Sequence, residues 1–442
     1  ATVRGAAALG AMARGNWASL RDMDLRLTVA SRRLAGGHAT EFGAFVAHAY
    51  VDTITGEEHV ALVKGERIMR IDREADGSGV AHAASAGLAS PYRDCAVLVL
   101  DGRGERASHL AGRYVDGQLE ILAGQALPHS LGLMYEELTD HLGFRRSSDE
   151  YKVMALAAYG KPAFLRELRE AVRVTGDGGF TVAPIELKTL AKRRGKHEEW
   201  TGEHADLAAS VQLRLEEVLL DLARWTYDRA GGSVSTLTMA GGTALNCVAN
   251  SRLWRESPFE RVWVQPASGD SGTALGAAMH VAAELGDRVA PMRSAALGRG
   301  WSDEELEAEL QRAALPYTRP ASIAAEAAEV LAGNGIVAWY QGRSEYGPRA
   351  LGHRSLLAHP GDKDTQTRMN DVKGREQFRP VAPMVLLERA PEIFSRGPLP
   401  SPYMLFVHDV APEWKERIPT VTHVDGTARI QTIDRGTEPL VH

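Results

Sequence analysis

Two cysteines in 442 residues, Cys95 and Cys247, leave no material for a disulfide framework or a cysteine-rich zinc site. Both sit in apolar strings, CAVLVLD and ALNCVAN, where a buried free thiol is the ordinary reading. No apolar run reaches the length that crosses a bilayer, and the opening ATVRGAAALGAMARGNW carries arginines without a secretory core and cleavage site. Membrane association is therefore not expected, and the reading is a soluble, cytoplasmic protein. A surplus of basic charge is also missing. The 51 Lys and Arg against 57 Asp and Glu give a formal charge of -6, so nucleic acid would be bound against an unfavourable field and is set aside as a partner.

What is present is a chain with 44% hydrophobic residues, more than one core can use, since a single core stops growing near about 250–300 residues. Three times an apolar, β-rich run ends in a glycine turn. CAVLVLDGRGE delivers Asp101 into such a turn, STLTMAGGTALN runs from a strand at 235–240 into Gly241 and Gly242 with a helix from about Ala244, and RVWVQPASGDSG runs from a strand at 261–265 through Asp270 into a helix over 272–285. Strand, glycine loop and helix in recurrence predict an α/β fold. Between them, Leu213, Leu215, Val218, Leu219, Leu222 and Trp225 fall at helical spacing and predict a long core helix over 206–230. Residues 1–75 are barely legible, with a helical arginine-rich pattern at 12–34 and room for two strands at 43–71. Proline and glycine punctuation at 286–302 places a domain boundary near residue 300. Beyond it come helices at 303–315 and 321–333 and a strand at 335–342.

The densest chemical signal follows that strand. GRSEYGPRALGHRSLLAHP (342–360) holds Arg343, Arg349 and Arg354 among glycines, with Ser355 beside them; guanidinium forks and open backbone N–H groups suit phosphate oxygens, although this is no Walker loop. NDVKGREQFRPVAP adds Lys373, Arg375 and Arg379 around Phe378, and HVDGTARIQT adds Arg429. Three basic clusters favour an anionic ligand such as a nucleotide or acyl phosphate. In the first half, His82, Asp101 and Asp270 are metal candidates, since one imidazole and two carboxylates suit a divalent cation. Each has a second reading, which spacing alone favours: a lone histidine such as His82 is more often a satisfied helix histidine, and the aspartates can cap or brace their glycine turns.

Five strings in order, DEYKVMALAAYG (149–160), AGGTALNCVANSRL (240–253), QPASGDSGTALGAAM (265–279), GRSEYGPRALGHRSLL (342–357) and VKGREQFRPVAPM (372–384), resemble the antibiotic and nodulation-factor O-carbamoyltransferases, a family with tobramycin, cephalosporin and ansamycin members. The resemblance runs from about His82 to the last residue. It implies an N-terminal domain (1–300) of the actin, sugar-kinase and Hsp70 type, similar to the tRNA threonylcarbamoyl transferase, and a smaller C-terminal α/β domain (301–442) similar to threonylcarbamoyl-adenylate synthase. The second would make carbamoyl-adenylate and pyrophosphate from carbamoyl phosphate and Mg²⁺-ATP. The first would move the carbamoyl group to a hydroxyl of a small antibiotic or sugar acceptor, aided by Fe²⁺ or another divalent metal. Carried over by position, Arg349, Lys373, Arg379 and Arg429 are catalytic, with Arg349, Arg379 and Arg429 also binding nucleotide. Gly132, Gly242 and Asn246 would line the carbamoyl-adenylate pocket, and His82, Asp101 and Asp270 would hold the metal.

The resemblance also has gaps. The family's His-His-x-x-His string reads Ser78-Gly79-Val80-Ala81-His82, which removes one metal ligand and leaves His48 as a weak substitute. A family lysine falls on Asp72, and the Asn-Thr-Ser-Phe-Asn string that ends the family's adenylation domain is not reached, so the C-terminal domain reads as incomplete. A tRNA- or hydrogenase-maturation carbamoyl transferase is the second enzyme reading, disfavoured by the two cysteines and negative charge. An inactive nucleotide-binding homologue is a third.

Overall fold

The computed structural model describes the strands Val46–Val51, Glu58–Lys64 and Arg67–Arg70 and the chain over 77–442, except residues 105 and 233. The first three strands, β1 to β3, form an antiparallel sheet where two strands were expected. The helical pattern at 12–34 and Asp72 lie outside the described residues, as does the side chain of His48.

A five-stranded mixed sheet organises the first half. Its strands are β4 (Cys95–Leu100), β5 (Ala107–Val115), β6 (Gln118–Ala126), β9 (Thr236–Ala240) and β10 (Arg261–Val264), in the order β10-β9-β4-β5-β6; β7 (Val172–Val174) and β8 (Phe180–Val182) make a separate hairpin. Strands β10, β9 and β4 run parallel, and β5 and β6 turn back antiparallel. Every residue of β4 is buried, which is why its sequence is a continuous apolar run and not an alternating one. Its alternate side chains serve two cores. Ala96, Leu98 and Leu100 join the larger one beneath the helix Gly202–Arg229. Cys95, Val97 and Val99 pack against α1 (Gly77–Gly87).

On the α1 side a second helix, Ser271–Glu284, lies so close that a Cβ on Gly276 would stand 1.8 Å from the Ala81 carbonyl oxygen. That approach fixes the height of His82, the next residue of α1. The parallel strands all end at one edge of the sheet, so Asp101 after β4, Gly241 and Gly242 after β9, and Asp270 beyond β10 emerge together. A crevice at the carboxyl ends of parallel strands is where α/β sheets place their sites.

The second half is assembled from small sheets: β11–β12 (Ile336–Tyr340 and Arg354–Ala358), β13–β17 (Met384–Leu386 with Gln431–Ile433) and β14-β15-β16 (Phe394–Ser395, His408–Val410, Thr427–Ala428). Val385, Phe394, Val410, Ile418 and Ile430 form its own core. It is bound to the first half by hydrogen bonds as well as contact: Asn250 Nδ2 donates to Leu405 O at 3.1 Å, Ser251 Oγ to Val407 O at 3.1 Å, and Val407 N–H back to Ser251 Oγ at 2.7 Å. The arginine-bearing loop between β11 and β12 folds around Glu345, whose Oε1 accepts from the N–H groups of Leu351, His353 and Arg354. His353 Nε2 then meets Glu438 at 3.0 Å.

Two predictions follow from these contacts. Gly276→Ala, which raises helix propensity, should lower stability by at least about 2 kcal/mol in urea unfolding because the helices must part. The bond to Glu438 raises the His353 pKa above its ordinary 6.5. Its contribution to stability is therefore complete below about pH 6.5 and lost as pH rises through the raised value; His353→Gln should flatten that part of the stability profile.

Candidate functional site

The turn after β4 is held from three directions. Asp101 N–H donates to Ser108 O at 2.9 Å, Ser130 Oγ donates to Gly102 O at 2.7 Å, and Gly132 lies so near that an added Cβ would be 2.6 Å from the Gly102 Cα. Ser130 also caps the helix Leu131–His141 by accepting from Leu133 N–H. Asp101 Oδ1 accepts the Gly242 N–H at 3.0 Å, and Gly241 before it adopts φ +87, with the Leu100 carbonyl where a side chain would begin. The helix expected near Ala244 is a 3₁₀ turn, Gly242–Leu245, followed by the helix Cys247–Glu256, because the paired glycines first turn the chain across the strand ends.

His82, Asp101 and Asp270 come together, each offering a ligand atom within 4.8 Å of the others. His82 Nε2 is 3.6 Å from Asp101 Oδ2. Its ring is 1% exposed and neither nitrogen has a hydrogen-bond partner, so it is not a satisfied helix histidine. A buried imidazole without partners is costly unless something absent from the protein atoms completes it. Asp270 stands at the N-cap of Ser271–Glu284 but makes no capping bond, which leaves its carboxylate uncommitted. Asp101 does brace its turn, through one oxygen only. Burial works to raise the Asp101 carboxyl, yet His82 and the N–H groups of Gly242 and Gly102 outweigh it and hold it below its usual value. Burial and then the Asp101 carboxylate push Asp270 up. One imidazole and two carboxylates crowded this way fit a divalent cation, which would remove the repulsion and give one of the two orphaned nitrogens a partner.

Asn246 closes the turn that begins at Gly242. Its amide is committed to the protein: Oδ1 accepts from Ala249 N–H and Gln212 Nε2, and Nδ2 donates to Gln212 Oε1 at 2.8 Å. Gln212 continues to Tyr135 and to Glu216, whose carboxyl burial pushes up and whose charge Arg252 faces at 3.2 Å. The side chain of Asn246 thus holds the 242–246 turn.

Of the three arginines in the 342–360 loop, only Arg349 points toward the other cations. Arg343 is spent on the carbonyls of Gly298 and Leu297 at 2.6 and 3.0 Å, and Arg354 is exposed on β12. Ser355 closes the loop by accepting from Gly352 N–H. Arg349 donates to Leu245 O at 3.1 Å, while its Nε and that of Arg429 are buried without partners. Burial and the nearby Arg429 push the Arg349 guanidinium down to about 9. Burial, Arg379 and Arg429 push Arg375 down to about 10, and burial with Arg375, Arg379 and Arg429 lowers Lys373. Among the described residues no carboxylate pairs with Arg349, Lys373, Arg375 or Arg429. Arg375 was visible as part of a basic cluster but was not singled out. Tyr151, under the Arg379 guanidinium at 4.5 Å, and Lys152, paired with Glu376 at 2.7 Å, complete the wall from the first half. Their signal was the DEYK string, whose polar face carried no chemistry legible by itself.

Comparison with known proteins identifies the family. The family model for the carbamoyltransferase N-terminus matches residues 36–279, and that for the carbamoyltransferase C-terminus matches residues 328–442. Nodulation protein NolNO of Sinorhizobium fredii is 38% identical over 85% of this chain and 58% of its own length. Nodulation protein NolO of Bradyrhizobium diazoefficiens is 38% identical over 81% and 67%, and an uncharacterised protein of Synechocystis sp. is 37% identical over 81% and 65%. The chain thus spans roughly three fifths to two thirds of these relatives' length. The crystal structure of T. kodakarensis HypF aligns with 47% of this chain and 36% of its own at 17% identity and a TM-score of 0.27, too loosely to carry an argument. With both family models matched in order across the two halves that build the site, the chain belongs to the carbamoyltransferase family.

Proposed function

We propose that this chain carries out ATP-dependent O-carbamoyl transfer at two linked sites, making carbamoyl-adenylate at the basic wall and delivering its carbamoyl group to an acceptor hydroxyl beside His82, Asp101 and Asp270. The observation that supports this most is a cluster of partly buried guanidinium groups, Arg349, Arg375 and Arg429, beside the more exposed Lys373, none of them paired with a carboxylate among the described residues. Such a group is unfavourable in the free protein and favourable around a triphosphate and an acyl phosphate, where guanidinium forks meet charge that grows on departing pyrophosphate. Arg349, Lys373, Arg379 and Arg429 take that role.

At the transfer site His82, Asp101 and Asp270 would hold a divalent cation, Fe²⁺ or another; when bound it supplies a Lewis acid for a carbonyl or phosphate oxygen. The chain's own contribution is orientation. Gly132 and Gly242 hold Asp101, and Asn246 and Gln212 fix the turn that Arg349 touches from the other site. The 301–442 region is read as the adenylate-forming domain and the 1–300 region as the transfer domain, of the actin and sugar-kinase type. Two of the relatives are named nodulation proteins, in keeping with the resemblance to nodulation-factor O-carbamoyltransferases, which supports a sugar-bearing small molecule as acceptor, with an antibiotic the alternative.

The two-site reading predicts a split in mutant behaviour. Arg349→Ala should cut pyrophosphate release from ATP and carbamoyl phosphate by about 10²–10³-fold. Asp270→Asn should leave that half-reaction at the wild-type rate and block only appearance of carbamoylated acceptor. Loss of the same step in both variants would contradict it.

A further inference from the structure

The turn that leads to Arg429 holds two groups for which the nucleotide reading has no use. His423 N–H donates to Thr427 O at 2.8 Å and Gly426 N–H to His423 O at 2.9 Å, with Gly426 at φ +81 closing the turn. Asp425 Oδ1 accepts from Thr427 N–H at 3.0 Å and from Thr427 Oγ1 at 2.8 Å, and lies 3.5 Å from His423 Nδ1. Burial opposes the charge on Asp425, but His423 and Thr427 together bring its carboxyl down to about 2. A carboxylate at Nδ1 selects the tautomer protonated there, so the imidazole lone pair stays on Nε2. That nitrogen is buried and has no partner.

Its neighbours lie on segments that flank the basic wall. The Tyr159 ring meets the His423 ring edge-on at 5.9 Å, and Tyr159 OH donates to Phe378 O at 3.3 Å. Phe378 directly precedes Arg379, and Arg429 follows Thr427 by two residues. The segments that carry the cations therefore also carry a histidine with a free lone pair, oriented by a fixed carboxylate.

The proposed chemistry needs such a group. Carbamoyl phosphate and ATP yield carbamoyl-adenylate and pyrophosphate only if water enters and inorganic phosphate also leaves. We infer that His423, positioned by Asp425, is the general base for that water. The first water proton passes to Nε2, the oxygen adds to the carbamoyl carbon, and the carbon–oxygen bond to phosphate breaks with its electron pair leaving on phosphate, which takes the Nε2 proton, while the carbamic acid formed releases its remaining proton to solvent. The resulting carbamate attacks the α-phosphorus of ATP through oxygen and displaces pyrophosphate. This inference rests on the adenylation reading above and assigns it a step of its own.

The test separates the two steps by supplying carbamate directly. Phosphate and pyrophosphate release are measured for wild type, His423→Ala and Asp425→Asn, with ATP and either carbamoyl phosphate or freshly dissolved ammonium carbamate. With carbamoyl phosphate, His423→Ala should lose at least about 100-fold in both products, the lower end of what a general base contributes. With carbamate it should release pyrophosphate at the wild-type rate. Asp425→Asn should show a smaller loss that carbamate also rescues, which a merely bracing turn residue would not. Undiminished phosphate release in His423→Ala, or a loss that carbamate fails to restore, would overturn the assignment. Absence of pyrophosphate from wild type with either donor would instead remove the adenylation reading, and this step with it.

Discussion

One hydrogen bond, from Gly242 N–H to Asp101 Oδ1, ties together the ends of two parallel strands and fixes the geometry on which both sites depend. It holds Asp101 so that its second oxygen faces His82, and it anchors the 242–246 turn whose far end receives Arg349. Gly241 is where it is because the chain must pass the Leu100 carbonyl at positive φ. From the other face, Gly276 lets two helices approach until His82 stands at the level of the strand ends.

Around this frame the molecule keeps two groups of like charges apart. Asp101 and Asp270 repel one another on one side, and Arg349, Lys373, Arg375 and Arg429 on the other. Either cluster alone lowers stability, and the remainder of the fold compensates through cores that bury β4 on both faces and through paired hydrogen bonds that lock 250–251 to 405–407. Local conflicts of this kind mark functional positions, since only a ligand of opposite charge makes them favourable. The 242–246 turn touches both clusters, through the Gly242 N–H at Asp101 and the Leu245 carbonyl at Arg349.

Three of the main sheet's five strands were legible: β4 and β9 are buried along their whole length and so read as apolar runs before a glycine turn, and β10 leads to a third such turn, whereas β5 and β6 were not read. The helix at 202–229 was legible from its period. Strands of two or three residues such as Phe394–Ser395 carry too few positions for any period to show, and the three strands before residue 71 were read as two. At the site, composition named candidate residues without their states. Composition does not separate Arg343 from Arg349, which only the family resemblance singled out; in the fold the carbonyls of residues 297 and 298 take up Arg343. The choice between a satisfied and a partnerless His82 depends on packing with a helix nearly 200 residues away. His423 went unnoticed because Asp425-Gly426 already explained its segment as a turn.

The central claim is that the basic wall makes an acyl-adenylate. Mass spectrometry of the purified protein with Mg²⁺, ATP and carbamoyl phosphate, and no acceptor, tests it most directly. The account predicts carbamoyl-AMP and pyrophosphate that appear only when both substrates are present; a folded protein that binds ATP and yields neither would contradict it.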